Sequence, residues 1–392
     1  MPTVQPYLIV PTLIEQPTWG GDYIASLKRL KSPKLKGKKL GQSYELYQHT
    51  LLSLETNSTK VPVALGNPAS PQKVSLLGSG KPFTISNLIK TSPVKTLGAK
   101  AIKLHGNHVQ ILIKLTQAAG NSYQLHVKKP VASWQPKPES WYYLEPGLIT
   151  LGVKPNIDWN QYQQVCLEVN QKAQDLSSQV QSKKLTIKEA RGQLQEFIKN
   201  HNPQNYVNTQ EVARHQAIDL SPCGIHHSWE ENAKTHPQGN IIYEVQKNVY
   251  DPVSTIRVFD RGKIVGDGTI RPLNINDYFK YIDKSPEANN PQGHFTAGKV
   301  VKKTSTYTVR QIFSTKNYQM QQISLNKPVS NQHTTTSDSY HHLFAYQGSI
   351  RLKAATIELT LGTGYSAFVP ASTGAYILTP LTKHATVLKT FL

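Results

Sequence analysis

Gln124 and His126 stand one residue apart in Asn121-Ser122-Tyr123-Gln124-Leu125-His126, directly after the apolar run Ile111-Leu112-Ile113-Lys114-Leu115. On a β-strand, side chains two apart share a face, so one carboxamide oxygen and one imidazole nitrogen are aimed at the same point. Buried without partners, both groups would be costly; a divalent metal is one partner that satisfies them. Glu139 follows in Lys137-Pro138-Glu139-Ser140-Trp141-Tyr142, between a lysine and an aromatic-rich strand. Further on, Pro222-Cys223-Gly224-Ile225-His226-His227-Ser228 reads as a tight turn at a strand end. Its two histidines point to opposite faces, so only one can look into a shared site. Two imidazoles, a carboxylate and an amide oxygen form an N/O set suited to zinc or a similar divalent ion. Spacing alone leaves open which histidine takes part, and whether Glu139 is a surface carboxylate.

Two later strands carry charge. Glu244 and Gln246 share a face of Tyr243-Glu244-Val245-Gln246, and Arg257 sits among apolar residues in Ile256-Arg257-Val258-Phe259. An arginine there must meet an anion: a sugar phosphate, a developing oxyanion or a structural aspartate. Other features read as inert. Gly78-Ser79-Gly80-Lys81 lacks the first glycine of a phosphate loop and is followed by Pro82. His341-His342 are expected at the surface or behind a site. Cys223 is expected to be a small packed residue rather than a fifth, soft ligand.

The elements that must position these residues are mostly strands. Residues 1–150 are short extended runs broken by Pro, Gly, Ser and Asn, including 73–77, 109–115, 122–127 and 148–153, a spacing that suggests a β-sandwich or barrel. Residues 158–200 change character: Tyr162, Val165, Val169, Ala173, Leu176 and Val180 fall at helical spacing. A second helix is expected from the capping box Thr186-Ile187-Lys188-Glu189, with Leu194, Phe197 and Ile198 as its apolar face. Strands return over 217–220, 241–246 and 254–259, a short helix is expected over 274–282, and alternating strands run from 305 to the end. The first and last β portions could be two copies of one barrel type.

At 392 residues the chain has length for two or three domains. Charged residues make up only 17%, yet the net charge is +20, which favours anionic ligands. The dense run between Lys28 and Lys39 is read as a solvated basic face, and no aromatic-interleaved nucleic-acid signature accompanies it. Two cysteines, Cys166 and Cys223, exclude a disulfide framework and a cysteine-based zinc site. The first residues lack the pattern of a signal peptide and no apolar run is long enough to span a membrane, so a soluble cytoplasmic protein is expected.

Several ordered segments resemble the type I mannose-6-phosphate isomerases of the cupin superfamily. Trp19-Gly20-Gly21 is similar to that family's "WGG" segment and Gly41-Gln42-Ser43-Tyr44-Glu45-Leu46 to its "GESWEL" strand. Ile111–Ala119 with Ser122–His126 resembles "LLIKFLDA…LSVQVHP", Lys137-Pro138-Glu139 its "KPE", and Pro222–His227 its "PAGTIH". Glu244-Val245-Gln246, Thr255–Asp260, Arg271–Ile275 and Gly364–Ala371 are similar to "EIQ", "TYRLYD", "RPLHI" and "GDSLLIPA". The resemblance departs at Val127, Gln42 and Tyr44, which replace a proline, a glutamate and a tryptophan. The segment from His126 to Glu139 is short for the family, and that from Glu244 to Arg257 is long.

The resemblance implies two cupin-type (jelly-roll) β-barrels with a helical insert: a catalytic barrel from 1–156 and 205–304, an insert over 157–204 and a C-terminal barrel over 305–392. It implies one zinc ion per chain held by Gln124, His126, Glu139 and His227, choosing His227 over its neighbour. It implies substrate contacts from Trp19, Ser122, Lys137 and Arg257, with Lys137, Glu244 and Arg257 catalytic and either Lys137 or Glu244 as the base. The implied activity interconverts mannose 6-phosphate and fructose 6-phosphate through a cis-enediol. The expected partner is a small sugar phosphate, with no membrane or nucleic acid and a monomer favoured. Alternatives are an isomerase for another sugar phosphate, or a non-catalytic metal-binding cupin that binds sugars or regulates a partner.

Overall fold

The computed structural model describes residues 3–68, 74–326, 331–334 and 338–392 of the chain. Strands dominate, and they form two nine-stranded sheets, one five-stranded and one four-stranded. None of the four closes on itself among the described residues.

One nine-stranded sheet runs, in spatial order, Phe295–Thr296, Ala217–Asp219, Glu139–Tyr143, Asn240–Lys247, Ile111–Ala118, Leu40–Leu46, Thr12–Glu15, Val63–Leu65 and Ser75–Leu77. Its central strand Ile111–Ala118 is buried along its whole length, as expected of a strand covered on both faces. The five-stranded sheet lies across from it in the order Val207–Val212, Gly147–Val153, His227–Trp229, Tyr123–Leu125 and Ile256–Phe259. Trp141, Tyr143 and Ile242 of the first sheet pack with Ile149, Leu151 and Trp229 of the second, giving the apolar layer of a two-sheet sandwich.

The second nine-stranded sheet holds the C-terminal strands, among them Tyr307–Ser314, Gln319–Leu325, His341–Gln347, Ser366–Val369 and Ala385–Phe391. The strand Tyr7–Val10 is hydrogen-bonded into it beside Ser366–Val369. Leu343, Ala345 and Val387 of this sheet pack against Leu352, Leu359 and Leu378 of the four-stranded sheet.

The helical insert forms as its periodicity predicts, as Trp159–Gln181 and Ile187–Asn200. Asp158 caps the first helix, and Thr186 and Glu189 exchange the two bonds of a capping box at the second. The buried stripe runs through Tyr162, Cys166, Val169, Ala173 and Leu176; Val165 lies beside it, half-buried, with Cys166 in the core position. No helix among the described residues is long and apolar enough to cross a membrane.

Three expectations are corrected. Within 1–150, read as extended throughout, the segments Ile85–Thr91, Pro93–Leu97 and Ala99–His105 are helical. Each is short and punctuated by Ser92-Pro93 or Gly98, so helical periodicity has no length over which to show, yet Ile85, Leu88 and Leu97 enter the main core. Lys28 belongs to no solvated face: it is 2% exposed, pairs with Glu45 at 2.7 Å and donates to the Gly364 carbonyl. His341 and His342 are buried rather than at the surface; their Nδ1 atoms meet the hydroxyls of Tyr376 and Tyr243. Of the predicted strand 73–77, Lys73 lies outside the described residues and Ser75–Leu77 is a strand.

Candidate metal centre and its cleft

Three strands from the two facing sheets bring the candidate ligands together. Glu139 begins its strand in the nine-stranded sheet, and His227 begins its strand in the five-stranded one. Gln124 sits in register with His227 on one side and with Arg257 on the other. His126 falls just beyond the end of Tyr123–Leu125, held where Gly224 N donates to its carbonyl at 2.7 Å. That turn depends on backbone few residues adopt: Cys223 and Gly224 have φ of +58° and +81°. Glycine takes such a conformation without penalty, and a Cβ at Gly224 would also press on the Lys128 side chain at 2.6 Å.

His126, Glu139 and His227 are all buried and their ligating atoms lie within 4.8 Å of one another. Each imidazole turns Nε2 toward one Glu139 oxygen, at 3.3 Å in both cases. The other nitrogen of each ring faces a carbonyl: His126 Nδ1 meets Ser254 O at 2.6 Å and His227 Nδ1 meets Ile225 O at 3.1 Å. A carbonyl only accepts, so each Nδ1 carries a proton, and a neutral ring held this way presents its Nε2 lone pair inward. Both Nε2 atoms are buried and lack a hydrogen-bond partner. Burial pushes the His126 imidazole down to about 4, against the pull of Glu139, which keeps the ring neutral. Buried lone pairs facing a carboxylate, each ring oriented through its far nitrogen, are what a zinc site requires. The donor set therefore fits the implied ion. Gln124, half-buried beside them, donates its amide to Ser122 Oγ at 3.1 Å. Cys223 points elsewhere, toward Ser221 O at 3.7 Å, and burial holds its thiol up near 12.

A cleft of about 1200 Å3 opens onto this centre, lined by Trp19, Ser122, Gln124, Lys137, Glu139, Glu244 and Arg257 among others. His126 and His227 lie behind its wall. Trp19 reaches the cleft because Gly41 leaves room: a Cβ there would stand 2.5 Å from the indole ring. Eight basic and five acidic side chains line the cleft, so it is electropositive before any metal is counted.

Asp251 organises the basic groups at the centre. Its carboxylate accepts from Lys137 Nζ at 2.9 Å, Arg257 Nη2 at 2.8 Å and Thr255 Oγ1 at 3.0 Å. Lys137 and then Arg257 hold the Asp251 carboxyl below the usual range, although burial opposes them. Half of that side chain stays open to solvent, so water screens part of the pull. Burial weakens the charge on Lys137, but Asp251 and Glu139 outweigh it and hold the ammonium above its ordinary range. Burial raises the Glu244 carboxyl, with Lys114 at 2.9 Å pulling the other way. Arg257 Nε is buried with no protein partner.

Sequence reasoning missed Asp251 and Lys114. Asp251 begins the short 3-10 turn Asp251–Val253, inside the segment noted as long between Glu244 and Arg257; that extra length was the available signal. Lys114 was visible only as a lysine within an apolar strand. The alternative of a structural aspartate for Arg257 is met by Asp251 rather than by Asp260, which pairs with Arg271 at 3.5 Å.

No protein-family model and no curated protein sequence matches the chain. Solved structures do. The mannose 6-phosphate isomerase of Bacillus subtilis superposes with a TM-score of 0.66 at 14% identity, over 98% of this chain and 99% of that one. A putative mannosephosphate isomerase of Archaeoglobus fulgidus gives 0.59 at 17% identity, over 99% and 97%. The Salmonella typhimurium mannose 6-phosphate isomerase, solved with fructose 6-phosphate and zinc, gives 0.62 at 14% identity, over 97% and 99%. Across nearly its whole length, the chain has the fold of the mannose-6-phosphate isomerases.

Proposed function

We propose that this protein is a zinc-dependent aldose–ketose isomerase that interconverts mannose 6-phosphate and fructose 6-phosphate. The observation that carries the reading is the pair of buried, partnerless Nε2 atoms facing Glu139 at the foot of an electropositive cleft. We read the molecule as two cupin-type units, with the site in the first. Gln124, His126, Glu139 and His227 would hold one zinc ion. Bound there, zinc would supply Lewis acidity toward the carbonyl and hydroxyl oxygens of the sugar.

The chain's own residues then divide the work. Isomerisation moves a proton between adjacent carbons by way of a cis-enediol. Glu244, a buried carboxylate whose pKa burial raises above its ordinary value, is suited to carry that proton. Lys137, fixed by Asp251, keeps a positive charge beside the developing oxyanion. Arg257 offers its free Nε to an oxyanion or to the phosphate. Ser122 and Trp19 would position the sugar from the cleft wall. The surplus of basic lining groups, Lys263 and Arg271 among them, suits a dianionic phosphate.

The test is a panel of aldose and ketose phosphates assayed with metal-stripped and zinc-restored protein. The reading expects interconversion of the mannose and fructose 6-phosphates only after zinc is restored. Activity confined to another ketose phosphate would rule out the specificity, and inertness toward every member would rule out the enzyme.

A further inference from the structure

Among the described residues none beyond Arg271 lines the cleft, so the described part of the C-terminal unit contributes no side chain to it. One buried side chain nevertheless connects that unit to the metal ligands. Tyr318 lies between the strands Tyr307–Ser314 and Gln319–Leu325, in a turn where Thr315 Oγ1 donates to Tyr318 O at 2.8 Å and accepts from Tyr318 N at 3.0 Å. Its ring is 1% exposed, and its hydroxyl reaches Ser140 Oγ at 2.9 Å.

Proton counting sets the direction of this chain of bonds. Ser140 Oγ is 2.9 Å from Asp219 Oδ1; a carboxylate only accepts, so the single serine proton goes there. Tyr318 must therefore donate to Ser140. Asp219 Oδ1 also accepts from Ser221 N at 2.9 Å, at the entry to the turn that ends in His227. Ser140 directly follows Glu139, and Leu220 N donates to Glu139 O at 3.0 Å. The same turn continues through Gly224 N to His126 O at 2.7 Å. One relay, from the buried Tyr318 and Ser140 to the half-buried Asp219, thus grips the backbone on both sides of the site from behind.

We propose that Tyr318 and Ser140 are positioning residues that hold Glu139 in register with the two histidines and so set the metal affinity of the centre. This rests on the metal reading above. Partners hydrogen-bonded directly to metal ligands change metal affinity by about 10- to 100-fold in other sites, which sets the upper scale for a relay that reaches Glu139 through its backbone. The C-terminal unit then acts as a brace for the centre in the first.

The experiment measures zinc affinity of the metal-stripped full-length protein by chelator competition, with the visible spectrum of the cobalt-loaded protein as a report on ligand geometry. Tyr318→Phe keeps the ring and removes one oxygen; Ser140→Ala breaks the same relay should the first variant fold poorly. Each is expected to weaken zinc by about tenfold, the low end of that range, and to alter the cobalt spectrum, with the double variant no worse than the weaker single one. Gln322→Leu removes the bond from Tyr142 Oη to Gln322 Oε1, 2.8 Å long, elsewhere on the same seam. It should leave zinc affinity within about twofold, since it loosens packing without touching the relay. Affinity and spectrum unchanged in both relay variants, or lost equally in Gln322→Leu, would overturn the proposal. Wild-type protein that takes up no zinc would overturn the metal reading and this proposal with it.

Discussion

Asp251 is the residue on which the charge arrangement of the cleft turns. It orients Lys137 and Arg257 at once, at 2.9 and 2.8 Å, closer than the other contacts of either cation, Glu139 at 3.5 Å from Lys137 and the Thr255 carbonyl at 3.4 Å from Arg257. Asp251→Asn keeps the shape and removes the charge that fixes both. The expected result is a fall of about a hundredfold in kcat/KM, the scale on which small misplacements act, with zinc content unchanged. Steady-state kinetics with metal analysis checks this; undiminished turnover would show that Lys137 and Arg257 need no such anchor. Gln124, His126 and the pair His226-His227 were legible from residue type and strand periodicity, whereas Glu139 was singled out only by the family resemblance, since spacing left it open as a surface carboxylate. Spacing could not choose between the adjacent histidines. In the structure His226 is turned away, its nitrogens occupied by Thr150 and Tyr278 at 2.8 Å each, whereas His227 Nε2 faces Glu139. Asp251 stayed hidden because a carboxylate beside Pro252 in a loop has no periodicity that announces where its side chain points.

At the scale of elements, the turn between Ala217–Asp219 and His227–Trp229 is the most constrained piece of the site. It carries two consecutive left-handed residues and grips His126 through Gly224 N. Gly224→Ala places a Cβ in a conformation that alanine resists, at a penalty of about 1 kcal/mol or more. That strain is expected to lower zinc affinity and the unfolding midpoint together, which chelator competition and thermal unfolding measure. An alanine variant with both values intact would mean the turn tolerates a side chain. The long insert helices were legible because their apolar stripe repeats over many turns and a capping box marks the second start. The helices between Ile85 and His105 were not, since none exceeds seven residues and their breaks look like loop punctuation. The sheets behind the site were legible only as strands: partner order within each sheet, and the packing of one sheet on the other that brings Glu139 to His227, arise from long-range contacts.

For the whole molecule, buried polar contacts join the two ends of the chain. Lys28 and Glu45 meet Gly364 and Ser366, and Tyr243 meets His342 and Thr390. Burial, with the nearby positive charge of Lys28, pushes the His342 imidazole down to about 3 from 6.5. The unfolded chain takes up this proton as pH falls below 6.5, while the native state refuses it until about 3. Stability from this group is therefore complete above 6.5 and erodes as pH falls toward 3. Lowering the pH from 7.5 to 5.0 should remove about 2 kcal/mol more unfolding free energy, measured in urea, from the wild type than from His342→Phe. Parallel losses in the two proteins would exclude His342 as the source. The net charge of +20 was legible from composition, whereas burial of Lys28 at a seam between distant segments was not.

Zinc content and isomerisation, measured together on wild type and His227→Ala, test the central claim most directly. The account predicts about one zinc per wild-type chain, with mannose 6-phosphate converted to fructose 6-phosphate, and loss of both in the variant because the site loses one of its two imidazole nitrogens. A variant that retains full metal and full activity would contradict it.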